Sequence, residues 1–190
     1  MKLILGSKSP RRQELLKEMG YSFEIRTKDT DESFSSDLSP DEVVKFISEK
    51  KAQALINELG KDELLLTSDT IVCVDDKILG KPVDRDEAIE MLELLSGRKH
   101  KVLTGVTIAT KNFIHSEVCN TDVTVKQLSK AEIIHYVDTC KPFDKAGSYG
   151  IQEWFGAAAI EGIVGSYNNV VGLPTHLVYD LLKRFEFQKH

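Results

Sequence analysis

Apolar positions along the chain alternate between short unbroken runs and helical spacing, which predicts strands that alternate with helices. The first run, Leu3-Ile4-Leu5, is broken by Gly6, and apolar residues then recur at helical spacing as far as Gly20. The same alternation continues along the chain and indicates an α/β fold with a mixed sheet and helices on both faces. The predicted strands are residues 3–5, 21–26, 64–74, 78–79, 101–110 and 113–125.

Helix starts are marked by residues that cap free backbone amides. Ser39 with Glu42, and Ser129 with Glu132, each have the spacing of a capping box. Ser9 before Pro10 predicts an N-cap whose side chain accepts a hydrogen bond. Asp84 with Glu87 predicts a further helix start, a last helix follows Pro174 to about Phe185, and the helix after Ser39 is expected to stop at Gly60.

Length, charge and cysteine content limit the possible classes of protein. The chain has 190 residues, and we interpret residues 1–190 as one domain, with room for two lobes. A net charge of −5 argues against binding to duplex nucleic acid, because no basic excess is available to neutralise phosphates. Three cysteines without a CxxC pair predict a cytoplasmic protein, and no run of apolar residues is long enough to predict a membrane partner. We therefore expect neither nucleic acid nor a membrane as a partner.

Arg11 and Arg12 stand in the first turn of the first predicted helix, where cations oppose the helix dipole. An anion bound at the helix start would reverse this cost, because it would accept hydrogen bonds from both guanidinium groups. The alternative is that both arginines are simply solvated, and this segment alone does not decide between the two.

Asp69 lies within the apolar run of residues 64–74. A buried carboxylate is costly unless it is paired, hydrogen-bonded or bound to a metal. Asp69 is therefore a candidate metal ligand or general base at a strand end. The alternative is a structural aspartate that accepts hydrogen bonds from backbone amides.

Three further polar residues are candidates for a phosphate and base site. Lys51 lies on the apolar stripe of the helix after Ser39, where it either reaches a cleft as a point charge for phosphate or extends to the surface. Lys81 follows a predicted hairpin that would return it towards Asp69. Gln152 ends a glycine-rich segment and offers an amide able to recognise a base edge, although an ordinary tight loop has the same composition.

Glu32, in the acidic loop of residues 27–38, would supply a second hard oxygen ligand beside Asp69. Two carboxylates of this kind suit Mg²⁺ or Mn²⁺. No GxxxxGK[ST] or GxSxG motif is present, which argues against a P-loop NTPase and a serine-hydrolase elbow.

Eight motifs, in order along nearly the whole chain, resemble those of the Maf proteins, a family of nucleoside triphosphate pyrophosphatases. They are GSKSPRRQELL, TDES, EKKA, SDTIV, GKPVD, SGRKHKVLTGV, DKAGSYGIQ and GSYNNVVGLP. The resemblance implies a two-lobed α/β architecture, similar to that of the inosine triphosphatases, with a central cleft. It also implies hydrolysis of a nucleotide between its α- and β-phosphates, with a divalent metal.

The resemblance assigns roles to the residues singled out above. Asp69 matches the proton acceptor of the family, and Glu32 falls on one of its conserved pocket positions; the metal site of Asp69 and Glu32 is the hypothesis drawn from the residues themselves. The phosphate-binding positions are Ser7, Arg12, Lys51 and Lys81, and the positions that distinguish the family's branches are Arg11, Thr70 and Gln152.

Thr70 after Ser-Asp and Gln152 after Tyr-Gly-Ile resemble the branch that acts on dTTP and UTP, and modified pyrimidine nucleotides are compatible with the same residues. A 7-methyl-GTP pyrophosphatase is an alternative within the family. A nucleotide-binding regulator of cell division without catalytic activity is an alternative from another class. A homodimer is a further expectation from the resemblance.

Overall fold

The computed structural model describes residues 1–185 and 187, and the predicted alternation of strands and helices is confirmed there. The strands are β1 (Lys2–Leu5), β2 (Phe23–Ile25), β3 (Glu63–Val74), β4 (Lys77–Leu79), β5 (Lys99–Thr110), β6 (Phe113–Val125) and β7 (Ile160–Val164). The helices are α1 (Pro10–Glu18), α2 (Pro40–Ile56), α3 (Arg85–Leu95), α4 (Lys130–Cys140), α5 (Trp154–Ala158), α6 (Tyr167–Val171) and α7 (Thr175–Leu182), with a 3₁₀ turn at Ala146–Ser148.

The seven strands of the described residues form one mixed sheet, as the sequence predicts, although β7 is not among the six predicted strands. Their order is β2-β1-β3-β5-β6-β7, and β4 pairs with β3 outside this path. Strand β1 runs parallel to both β2 and β3, whereas β4 is antiparallel to β3 and β7 is antiparallel to β6. The α/β class with a mixed sheet is therefore confirmed.

The chain divides into two compact units. Among the described residues, the first comprises residues 1–70, 104–119, 172–185 and 187. Its core includes Ile4, Leu55 and Leu65, all at most 2% exposed. Helix α2 approaches β5 very closely, because a Cβ at Gly105 would lie 2.2 Å from the carbonyl oxygen of Val44. A glycine at this position lets the helix and the strand pack backbone to backbone.

The second unit comprises residues 71–103 and 120–171. Helices α3 and α4 contribute Leu92 and Tyr136 to its core, where they pack with Val72 and Phe155. The expected cleft between two lobes stays a prediction. None of the helices among the described residues is long and apolar enough to cross a membrane.

Most local signals at helix starts have the predicted geometry. The capping boxes at Ser39 and Ser129 are complete, and the Asp84 side chain accepts the backbone N–H of Glu87. The turn between β3 and β4 contains Asp75 and Asp76, both with positive φ. These features depend on neighbouring residues only, which is why sequence patterns predict them.

The structure corrects several local expectations. Ser9 is the N-cap of α1 but makes no side-chain cap, and the Ser7 hydroxyl accepts the Ser9 N–H instead, at 3.3 Å. Helix α2 ends at Ile56, before Gly60, and α7 ends at Leu182, before Phe185. The short helices α5 and α6 were not predicted, because five residues are too few to show helical spacing.

Candidate active site

Asp69 lies in the polar stretch Thr67-Ser68-Asp69-Thr70 near the centre of β3, so the expectation of a strand end is wrong: the strand continues through Asp69 to Val74. The side chain of Asp69 is only 12% exposed. Lys51 Nζ lies 2.6 Å from Asp69 Oδ1 and 2.9 Å from Glu32 Oε1. Asp69 is therefore held by a cation, and one ammonium group links it to the acidic loop.

Helix α2 carries Lys51 into this position. Ile47 and Leu55, one turn before and one turn after Lys51, are buried, so the lysine lies on the inward side of the helix. Its side chain is 18% exposed, and its ammonium group ends at two carboxylates. The alternative that Lys51 merely extends to the surface does not describe the structure.

The two carboxylates fit a divalent cation. Asp69 and Glu32 both lie within hydrogen-bonding distance of the same ammonium nitrogen, so their oxygens already converge on one positive charge. No group of three or more His, Cys, Asp or Glu side chains suited to a metal occurs in the part of the chain that the structure describes. Mg²⁺ is commonly held by one or two carboxylates together with water and substrate phosphates, which matches this donor set.

Arg12 is surrounded by acceptors from its own chain. Its Nε donates to the Gly172 carbonyl at 2.9 Å, and Nη1 donates to the Ser68 carbonyl at 2.8 Å and the Ser7 hydroxyl at 3.4 Å. Its Nη2 donates to Thr70 Oγ1 at 3.1 Å. These bonds use four of the five N–H donors of a guanidinium group. Arg12 is not a solvated arginine, and it ties helix α1 to the strand residues on both sides of Asp69.

Burial and the neighbouring carboxylate act in opposite directions on the pKa of Arg12, and the net effect lowers it. Burial lowers the pKa of Arg12, whereas the negative charge of Asp69 raises it. The guanidinium group nevertheless remains protonated, since arginine does not lose its proton in proteins. A permanent positive charge therefore lies near Asp69 and Lys51.

Thr70 and Ser7 have hydroxyl groups that the protein already engages. Thr70 Oγ1 lies 2.9 Å from Thr104 Oγ1, and its hydroxyl also reaches the Gly172 carbonyl at 3.4 Å. Ser7 is buried beside Arg12, and Arg11 lies half-buried on the same turn. The first unit thus brings Ser7, Arg12 and Thr70 into contact, and separately joins Glu32, Lys51 and Asp69.

Lys81 and Gln152 belong to the second unit, and both side chains are exposed. Lys81 follows Gly80, whose carbonyl accepts the N–H of Gly147 at 3.0 Å. Gln152 lines an open hollow of about 460 Å³, together with Ile151 and Tyr167. Their roles in binding stay predictions from the resemblance.

Several residues that shape the site were not predicted. Thr104 and Gly172 bond to Thr70 and Arg12 although they are distant in the sequence. Ser68 is fully buried, and its hydroxyl has no hydrogen-bond partner among the described residues. The one available signal was a polar threonine or serine within an apolar strand run.

The site thus consists of a buried aspartate that is held by a lysine beside an acidic loop, on an α/β fold. Comparison with known proteins identifies the family to which a chain of this kind belongs. The model of the Maf-like proteins matches residues 2–185, and the chain belongs to this family. A protein of Bacteroides fragilis (strain YCH46) named "dTTP/UTP pyrophosphatase" is 47% identical over 184 residues, which cover 96% of this chain and 95% of the relative.

Two further comparisons extend this result. A protein of Flavobacterium psychrophilum with the same name is 48% identical over 188 residues, covering 98% of this chain and 95% of the relative. The structure of a HAM1 protein from Coxiella burnetii is similar at a TM-score of 0.50 with 14% identity, over 97% of this chain and all of that one. The second likeness concerns the fold alone.

Proposed function

We propose that this chain hydrolyses dTTP and UTP to the nucleoside monophosphate and pyrophosphate. The observation that carries the proposal is the Asp69 carboxylate, which is almost buried in β3 and held 2.6 Å from the Lys51 ammonium. The names of the near-full-length relatives support the choice of substrate. Modified pyrimidine nucleotides are included in the proposal.

Asp69 acts as the proton acceptor. Lys51 bonds to Oδ1, so Oδ2 is the oxygen that we assign to the attacking water. The water oxygen bonds to the α-phosphorus, the bond from that phosphorus to the α,β-bridging oxygen breaks, and the water proton passes to Asp69. General-base catalysis of this kind contributes about 10²–10⁴-fold.

Cationic side chains stabilise the charge that develops on the leaving pyrophosphate. Lys51 is our first candidate for this role, because its ammonium group contacts both carboxylates of the site. Arg11 and Lys81 complete the set, together with the remaining donor of Arg12 and the Ser7 hydroxyl. In this assignment Arg12 contributes mainly by fixing the strand that carries Asp69.

Glu32 and Asp69 would hold the divalent metal, Mg²⁺ or Mn²⁺. When bound, such an ion neutralises phosphate oxygens and polarises the phosphorus. The cysteine content supports a cytoplasmic location and the resemblance supports a homodimer, and both are part of this proposal.

Gln152 and Thr70 select the base. The carboxamide of Gln152 is exposed and has both a donor and an acceptor for the edge of uracil or thymine. The Thr70 hydroxyl bonds to Thr104 and Arg12, so we assign it an indirect part, through the position of Arg12. Recognition through hydrogen bonds of this kind discriminates by up to about 10⁴–10⁵.

The test is pyrophosphate release from dTTP, UTP, CTP, dGTP and 7-methyl-GTP, with Mg²⁺ or Mn²⁺ and with a chelator. The proposal predicts metal-dependent release from dTTP and UTP, with an equal amount of monophosphate. Release from 7-methyl-GTP in preference would assign the chain to another branch. A folded protein that binds nucleotide and releases nothing would support the non-catalytic regulator.

A further inference from the structure

A phenol group bonds to the backbone and side chain on either side of Gln152. Tyr136, on α4, accepts the N–H of Gly150 at 2.9 Å and donates its own proton to Glu153 Oε2 at 2.5 Å. Gly150 and Glu153 lie on the two sides of the Ile151-Gln152 dipeptide. The Tyr136 hydroxyl therefore bridges the two ends of a loop whose exposed member is Gln152, beside the backbone hydrogen bond that the Glu153 N–H donates to the Gly150 carbonyl at 3.2 Å.

Glu153 is fixed from a second direction. Lys145 Nζ lies 2.9 Å from Glu153 Oε1, and the Lys145 side chain is 11% exposed. Both carboxylate oxygens of Glu153 are thus engaged, one by Tyr136 and one by Lys145. Charge-assisted bonds of this kind are stronger than neutral ones, so they restrain the end of the loop.

The inner side of the same loop is packed against helix α5. A Cβ at Gly156 would lie 1.7 Å from the carbonyl oxygen of Ile151, so the helix meets the loop backbone directly. The Ile151 side chain is buried, whereas Gln152 is exposed and lines the hollow. The backbone on each side of Gln152 is fixed, and the Gln152 side chain is presented outward.

We propose that the Tyr136 hydroxyl, acting through Gly150 and Glu153, positions Gln152 for recognition of the base. The inference rests on the proposed function, because it concerns how that activity selects its nucleotide. Selection through hydrogen bonds requires that the recognising amide be held in place, and a displacement of about 1 Å costs on the order of 10²-fold. Tyr136 is a positioning residue, and Gln152 is the residue that contacts the substrate.

The variant Tyr136→Phe removes the hydroxyl and keeps the ring in the core. We expect the ratio of kcat/KM for dTTP to kcat/KM for dGTP to fall by about 10–100-fold, because the loop ends lose both of their bonds to the Tyr136 hydroxyl. The loss is expected mainly in KM for dTTP, since the hydrolytic residues are untouched.

A matched control is Tyr149→Phe. Tyr149 is also buried in this unit, and its hydroxyl bonds to His100 Nε2 at 2.8 Å instead of to the loop ends. Its removal is expected to lower stability while the dTTP/dGTP ratio stays within about twofold. Should Tyr136→Phe fold poorly, Glu153→Ala breaks the same closure, and Glu153→Gln restores an acceptor for Tyr136 and is expected to recover the ratio.

The decisive experiment repeats Tyr136→Phe in a Gln152→Ala background. If Tyr136 acts through Gln152, the second change has no further effect on the ratio. An unchanged ratio in Tyr136→Phe, an equal fall in Tyr149→Phe, or additive effects with Gln152→Ala would overturn the inference while the enzyme still released pyrophosphate. A wild-type chain that releases none from dTTP would refute the proposed function itself, and the inference with it.

Discussion

Loss of the Lys51 charge is predicted to destabilise the first unit, because it leaves the Asp69 carboxylate unpaired in a largely buried position. Two unit charges separated by the observed 2.6 Å attract by about 6 kcal/mol at an effective dielectric constant of about 20. Removing both from water costs several kcal/mol per ion, so the intact pair adds little net stability. Breaking the pair is costly, by about 3–5 kcal/mol.

The structure favours the lower end of this range for Lys51→Met. The Arg12 charge still acts on Asp69 in the variant, which offsets part of the loss. Glu32, the other partner of Lys51, is 53% exposed and regains water. We therefore expect a loss of about 3 kcal/mol in the free energy of unfolding.

Urea unfolding at neutral pH, with the denaturant dependence compared between variants, measures this loss. The matched control is Lys50→Met on the same helix, whose ammonium is 3.4 Å from the exposed Asp31 and should cost at most about 1 kcal/mol. The double variant Lys51→Met/Asp69→Asn is expected to recover most of the stability, because no buried charge is left unpaired. A double variant as unstable as the sum of the two single ones would refute the reasoning.

Two further predictions follow, one for a residue of the second unit, His100, and one for a residue of the first unit, Gly105. Burial lowers the pKa of His100 from 6.5 to about 4. Above pH 6.5 the histidine is neutral in both the folded and the unfolded chain, and between pH 6.5 and 4 only the unfolded chain takes up the proton, so the free energy of unfolding falls by about 3 kcal/mol over this range. The difference in this free energy between the wild-type chain and His100→Asn, measured by urea unfolding at each pH, should narrow by the same amount. A difference that stays constant with pH would contradict the prediction. Gly105→Ala should lower the free energy of unfolding by about 1–3 kcal/mol, because the new Cβ would clash with the Val44 backbone. The control Gly162→Ala, with open space around it, should leave thermal unfolding nearly unchanged. Equal effects of the two substitutions would contradict the close approach of α2 and β5.

The sequence predicts those parts of the fold that depend on local patterns. Strand β6 and the capping boxes at Ser39 and Ser129 follow from periodicity and from residues three positions apart. Helices α5 and α6 do not, because each has only five residues and forms in the context of the folded core. Secondary structure was thus predictable wherever an element was long or carried its own cap.

The candidate site was predictable as a set of residue types, and much less so as a network. Asp69 and Lys51 each stood out as a charge among apolar residues, and the structure pairs them. The acceptors of Arg12 were not visible, since Gly172 lies 160 positions further along the chain and offers only a backbone carbonyl. The contacts of Tyr136 could not be predicted either, because nothing in the sequence indicates that the hydroxyl of a core tyrosine bonds to a loop 14 to 17 positions further along the chain.

The claim that Asp69 is the proton acceptor is tested most directly by pyrophosphate release from dTTP by Asp69→Asn. This change keeps the shape of the side chain and removes its charge, and circular dichroism and thermal unfolding verify that the variant is folded. The account predicts a fall in kcat of about 10²–10⁴-fold. A folded variant with near-normal turnover would contradict it.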